Sequence, residues 1–218
     1  MRIKYLGHAA FVLTLSDGRT VVFDPYESGS YDGALAYGPI TDAFDIAVVS
    51  HDHADHCCTS VTAGAKHVIR SAGEREIDGI TVTSIPTFHD ESEGSKRGTN
   101  LISIIEAEGI RLAHLGDLGH PLPETIADAL KGVDVVFVPV GGFFTIDAET
   151  ALRVIEAIGP KLVIPMHYKT AKVAFPIEPV EKFTGLVQGV EHAGTSEITV
   201  TRESLPAERT VVVLDQAL

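Results

Sequence analysis

Between positions 51 and 56 the chain reads His51-Asp52-His53-Ala54-Asp55-His56, three imidazoles and two carboxylates in six residues. Imidazole nitrogen and carboxylate oxygen are the hard-to-borderline ligands that suit Zn, Mn or Fe as divalent ions. On an extended segment His51 and His53 point the same way and can share one ion. As the chain curls toward a helix, Asp55 and His56 turn to a second ion nearby. Three more residues of ligand type stand just beyond apolar runs. His89 follows the run Ile80 to Ile85 and a proline-containing bend, Asp117 follows Arg111-Leu112-Ala113-His114-Leu115-Gly116, and His167 follows Leu162-Val163-Ile164-Pro165-Met166. Four segments are therefore predicted to converge at one edge of the core, where α/β architectures commonly gather ligands.

The elements that must position these residues are mostly short β-type runs. Ile3 to Leu6, Phe11 to Leu15 and Thr20 to Phe23 read as opening strands, with a hairpin turn at Asp17-Gly18. Asp24-Pro25 ends the third, and a Gly/Tyr/Ser-rich loop follows from Tyr26 to Pro39. Ile46 to Ser50 is a continuous apolar strand, buried on both faces. Further strands are predicted over Lys66 to Arg70, Ile80 to Ile85, Asn100 to Glu106, Ile110 to Leu115, Val133 to Val138 and Lys161 to Ile164. Two helices are predicted. Pro123 to Leu130 begins with proline in the first turn, and Asp147 to Ile158 has Asp147 as N-cap and Gly159-Pro160 as its stop. Without a linker or repeat, residues 1–218 read as one layered α/β domain.

Composition narrows the function. The 218 residues carry 17 Lys and Arg against 30 Asp and Glu, a net charge of −13 that repels phosphate backbones and argues against a nucleic-acid partner. Cys57 and Cys58 are adjacent, so no disulfide framework exists and a reducing compartment fits. No run approaches the ~18–20 apolar residues of a membrane helix. Arg2 and Lys4 precede the apolar Ala9 to Leu13, but the chain continues into a hairpin rather than a cleavage site. These features predict a soluble cytoplasmic protein acting on a small molecule, with a homo-oligomer left open.

With these motifs in place, the chain resembles the metallo-beta-lactamase superfamily over nearly its whole length. Leu6-Gly7-His8-Ala9, Phe23-Asp24-Pro25, His114-Leu115-Gly116-Asp117 and Pro165-Met166-His167-Tyr168 resemble the group related to L-ascorbate-6-phosphate lactonase. The resemblance implies a four-layer αββα sandwich with two divalent ions at one edge, zinc foremost and manganese or iron as alternatives. It implies that His51, His53 and His89 hold the first ion and Asp55, His56 and His167 the second, with Asp117 bridging. A hydroxide shared by the ions would then cleave an ester, lactone or phosphoester. Four positive charges, less those of Asp55, Asp117 and hydroxide, leave about +1 to hold an anionic substrate. Two other readings are a mononuclear iron oxidoreductase acting on a sulfur compound and a non-catalytic metal-binding protein.

A second tier of residues has two readings each. Asp24 either orients a ligand histidine through a hydrogen bond or ends a strand before proline. His8 either faces the site or serves its turn, and His120 is either a proton donor near Asp117 or a surface residue. Tyr168, Lys169, Arg97 and Asn100 either meet a carboxylate or phosphate of the substrate or belong to solvated loops. His114 points away from Asp117 and reads as structural, His67 and His192 lack partners, and Cys57 and Cys58 read as packing residues. Gly141-Gly142-Phe143-Phe144 lets the backbone bend near the site and brings phenylalanine to an apolar part of the pocket.

Overall fold

The first strands alternate strictly, and the alternation creates two cores. On β1 (Arg2–Gly7), Ile3 and Tyr5 face one way and Leu6 the other. On β2 (Ala10–Thr14), Phe11 and Leu13 oppose Ala10 and Val12, and on β3 (Thr20–Phe23), Val21 and Phe23 oppose Val22. A strand with apolar residues on both faces must be covered on both, so this sheet lies inside the molecule. In the computed structural model, which describes residues 1–218, β4 (Ile46–Val48), β5 (His67–Ile69) and β13 (Glu197–Thr199) complete it. Its order is β13-β1-β2-β3-β4-β5.

The second sheet has the order β12-β14-β11-β10-β9-β8-β7-β6. Its strands are β6 (Gly73–Ile77), β7 (Ile80–Phe88), β8 (Thr99–Ala107), β9 (Ile110–His114), β10 (Val135–Pro139), β11 (Leu162–Met166), β12 (Val190–His192) and β14 (Thr210–Val213). The inner faces of the two sheets meet in a core cluster of 47 buried residues that continues through the second sheet to the helices on its outer face. Phe11 of the first sheet stacks on Phe137 of the second with ring centroids 3.9 Å apart, an arrangement worth about 0.5–1.5 kcal/mol beyond area burial. Helices α2 (Glu124–Leu130), α3 (Ala148–Ile158) and α4 (Glu181–Thr184) pack side by side, and α3 lies on β10. The opposite outer face is covered by α1 (Thr59–Gly64) together with loop residues Tyr26, Tyr37, Val173 and Ile177. The four layers expected are present, but one outer layer is mostly loop.

Local signals explain several boundaries. Asp147 accepts from Thr150 N at 2.8 Å, and Gly159 closes α3 at φ 71°, as the capping residues predict. Pro123 stands at the N-cap of α2, so the helix begins one residue after the predicted start. β7 runs straight through Pro86 to Phe88 where a bend was expected. Pro86 lies past the last residue paired with β6, so its missing N–H breaks no ladder bond there.

Direction places the site. β1, β3 and β4 run one way in the first sheet, and β7, β9, β10 and β11 run one way in the second. Every ligand-type residue named above follows the C-terminal end of one of these strands. No helix is long and apolar enough to cross a membrane.

Candidate metal centre

The loops that carry the site leave the sheets at six turns, and three bend through backbone conformations that ordinary side chains rarely adopt. His8, Asp24 and His167 have φ of 55°, 41° and 52°. Non-glycine residues held in the left-handed region cluster at sites where position outweighs local comfort. Spacing between the turns is equally tight. A Cβ on Gly119 would collide with the backbone of His89 and Asp90, and one on Gly141 with the carbonyl of His167. Glycine is required there because the turn after Asp117 touches that of His89, and the turn after β10 touches that of His167, backbone to backbone.

Seven side chains thereby meet. His51, His53 and His89 form one group of potential ligand atoms, and Asp55, His56 and His167 form another that also takes in His8. Asp117 lies between them. Its Oδ2 is 3.0 Å from His89 Nε2 and 3.4 Å from His167 Nε2, and its Oδ1 is 3.1 Å from His56 Nε2. Donors sharing one tetrahedral ion at about 2.0–2.1 Å stand roughly 3.3 Å apart, so these spacings suit a metal. Hydrogen bonding does not account for all of them. His56 Nε2, Asp117 Oδ1 and both ring nitrogens of His167 are buried without a hydrogen-bond partner. Buried polar atoms are almost always satisfied, and lone pairs converging without donors fit a cation.

Asp24 organises the inner side. Its Oδ2 accepts from His56 Nδ1 at 2.8 Å and from Ser50 Oγ at 2.6 Å, and Ser50 N donates to Oδ1 at 2.7 Å. Ser50 Oγ also sits 2.9 Å from His51 Nδ1. Both histidines therefore turn Nε2 toward Asp117, the orientation that outer hydrogen bonds commonly impose on metal ligands. His114 donates Nε2–H to Ala9 O at 2.8 Å, accepts from Gly116 N at 3.0 Å and stacks on Phe23. It is structural and shapes the turn before Asp117.

Charge sets His56 apart from the other shifted histidines. Burial and the neighbouring His56 push His51 down to about 3, and burial with His89 lowers His53 as well. Burial also brings His8 down to about 4. For His56 burial acts the same way, but Asp117 and Asp55 outweigh it and hold the imidazolium well above its usual range. Burial opposes ionisation of Asp117, yet His167 and His56 keep it well below the carboxylate range.

The cluster opens into a cavity of about 340 Å³ lined by His53, Asp55, His89, Asp117 and His167 together with Tyr31, Lys96, Arg97, Phe144 and Phe175. Of the substrate-contacting residues expected from sequence, only Arg97 lines it. Tyr168 is corrected to a core residue, because the left-handed turn at His167 swings it inward, where its ring centroid lies 6.3 Å from that of Tyr5. Lys169 is committed to Phe175 O at 2.7 Å. Asn100 is fully buried beneath the site, donating to Leu115 O and accepting from Asp117 N at 2.9 Å each. His120 accepts from Phe88 N and donates to Pro121 O, away from the cavity, so it is not placed as a proton donor. His8 lies behind Asp55, with Nε2 3.0 Å from Oδ2, rather than in the cavity. Sequence reading missed Tyr31, whose hydroxyl donates to Asp55 Oδ1 at 2.9 Å, and Phe175; both arrive on irregular loops without periodicity.

A two-sheet α/β sandwich with histidines and aspartates converging at the strand ends defines a metal-dependent hydrolase of the metallo-beta-lactamase superfamily. The profile of the family described as "Beta-lactamase superfamily domain" matches residues 2–167, and the chain belongs to that family. Among relatives, a UPF0173 metal-dependent hydrolase of Thermococcus onnurineus is 28% identical over 211 residues, spanning 85% of this chain and 92% of that protein. Another from Thermus thermophilus is 30% identical over 194 residues, spanning 78% and 84%. A solved structure from Thermotoga maritima, assigned to the metallo-beta-lactamase superfamily, superposes with a TM-score of 0.80 at 33% identity, covering 98% of this chain and 97% of that one.

Proposed function

We propose that the protein is a dinuclear hydrolase that cleaves an ester, lactone or phosphoester in a small anionic substrate. The observation that carries this reading is the pair of ligand groups meeting at Asp117 on the floor of one cavity. His51, His53 and His89 would hold one ion and Asp55, His56 and His167 the other, with Asp117 available to both. When bound, two such ions supply Lewis acidity and a hydroxide at neutral pH.

The chain's own residues do the rest. Asp24 and Ser50 fix the ring orientations of His56 and His51. His8 and Tyr31 each take one oxygen of Asp55, so that carboxylate cannot rotate freely. Phe144 and Phe175 present apolar surface to the non-reacting part of a substrate, and Lys96 and Arg97 supply positive charge at the wall. The short segments around His8, Asp24, Asp117 and His167 support a place beside the lactonase-like group. Free Cys57 and Cys58 suit a reducing cytoplasm.

The test is metal content per chain in protein purified without added metal, followed by a screen of lactones, esters and phosphoesters. Two zinc or manganese ions and a hydrolytic rate that collapses in His53→Ala and Asp117→Asn are expected. One iron per chain with oxygen uptake on a thiol would replace this reading with a sulfur oxidoreductase.

A further inference from the structure

Asp90 directly follows the ligand-type His89 and is buried, yet no cation neutralises it. Its oxygens instead accept four backbone N–H groups. Oδ1 takes Ser92 at 2.7 Å and Gly94 at 3.0 Å, and Oδ2 takes Lys96 at 3.0 Å and Arg97 at 2.7 Å. The base of the loop is closed by Gly98 N to Gly94 O at 2.8 Å and His89 N to Gly98 O at 3.0 Å. Gly94 is at φ +78°, where a Cβ would stand only 2.8 Å from Gly98 O. The segment from 91 to 98 is thus wound around one carboxylate and anchored beside the metal centre.

That loop carries Lys96 and Arg97 to the cavity. Arg97 is half-buried, its guanidinium has no hydrogen-bond acceptor or carboxylate within the fold, and it stands 5.5 Å from the centroid of the Phe144 ring. It lines the metal cavity and also the two hollows adjoining it, one toward Ser50 and Arg70 and one toward Thr145 and Asp147. In a chain of net charge −13, carboxylates to pair with it are plentiful, and none does. A rigidly presented guanidinium with five free donors is built to receive a planar or tetrahedral oxyanion.

We propose that Arg97, flanked by Lys96, is the receptor for a carboxylate or phosphate group remote from the bond being cut, and that Asp90 is the positioning residue that holds it there. The apolar segment joining that anion to the scissile bond lies against Phe144 and Phe175. The substrate class is therefore an ester or lactone bearing a separate anionic group. The scissile-bond part of this rests on the hydrolase reading; the anion receptor does not.

Two measurements on metal-loaded protein separate them. Calorimetric titration with phenylphosphonate is expected to show binding about tenfold weaker in Arg97→Gln, the loss typical of one charge-assisted contact. Asp90→Asn is expected to weaken it severalfold in the native background and not at all in the Arg97→Gln background. Unchanged binding in Arg97→Gln, whose altered side chain has no partner in the fold, overturns the receptor. An Asp90→Asn effect that persists without Arg97 overturns the positioning role. In hydrolysis, mono-4-nitrophenyl glutarate is expected to lose its advantage over 4-nitrophenyl butyrate in Arg97→Gln through KM, with kcat retained. Arg97-dependent binding with neither ester cleaved supports the receptor and counts against the hydrolase reading.

Discussion

His51 and His56 open and close one six-residue motif, and their rings lie 4.4 Å apart, yet the fold pulls their protons in opposite directions. His51 belongs to the half of the cluster that faces His53 and His89, where burial and neighbouring imidazoles favour the neutral ring. His56 is fully buried among Asp24, Asp55 and Asp117, where carboxylates overcome burial and favour the imidazolium. The same residue type at the two ends of the motif thus meets a metal differently. His51 is ready to bind, and His56 must surrender a proton first. Position relative to carboxylates, rather than the motif, sets this.

Substitutions can break the contrast. The largest effect is expected from Asp117→Asn, which removes charge from both halves at once. Activity should fall by more than about a hundredfold, the upper end for partners one step removed from a metal, with metal content dropping in parallel. Asp24→Ala attacks the inner half alone. It strands His56 Nδ1 and both donors of Ser50, and breaking a buried charged pair costs about 3–5 kcal/mol, readable as a lower denaturation midpoint. His53→Ala attacks the outer half. Its ring is only half-buried, so one ion should be lost while stability stays within about 1 kcal/mol of the parent.

Proton linkage sharpens the contrast further. In metal-free protein, His8 has a folded pKa of about 4, below its ordinary 6.5, so the unfolded chain takes up a proton first as pH falls. Stability should therefore decline between pH 6.5 and 4 and be unaffected by this group above 6.5. His56 has the opposite sign. Its contribution is full below 6.5 and is lost as pH rises through its raised folded value. Equilibrium unfolding across pH should show both limbs, and His56→Asn should remove the alkaline one. The smallest effect is the proton count of metal loading. Zinc titration in two buffers of different ionisation enthalpy should release about two protons per chain, one from His56 and one from the water that becomes the shared hydroxide.

The convergence of the candidate ligand residues and the fold class were legible because they are written locally. A short apolar run followed by His or Asp marks a strand end, and seven such residues fall within one motif and three strand ends. What escaped depends on tertiary contact. β12, β13 and β14 are short strands whose pairing is supplied by distant partners, and β6 reads as polar because it lies on an edge. Tyr168 follows His167 directly, and only the left-handed turn at His167 decides that its ring enters the core. Asn100 sits in register with buried Ile102 and Ile104 on β8, an alternation visible in sequence that outweighs its polarity once Asp117 N and Leu115 O supply partners.

Gly119 and Gly141 bring nothing to the cavity, yet they fix its tolerances. Each is a spacer of zero thickness against a turn that carries a candidate ligand, so one added methyl would be absorbed as a displaced His89 or His167. Ions differ in the ligand distances they accept by only tenths of an ångström. Metal preference in this protein is therefore open to inheritance and to engineering at positions that never touch a metal, and drift there would surface as a changed ion before it surfaced as a lost fold.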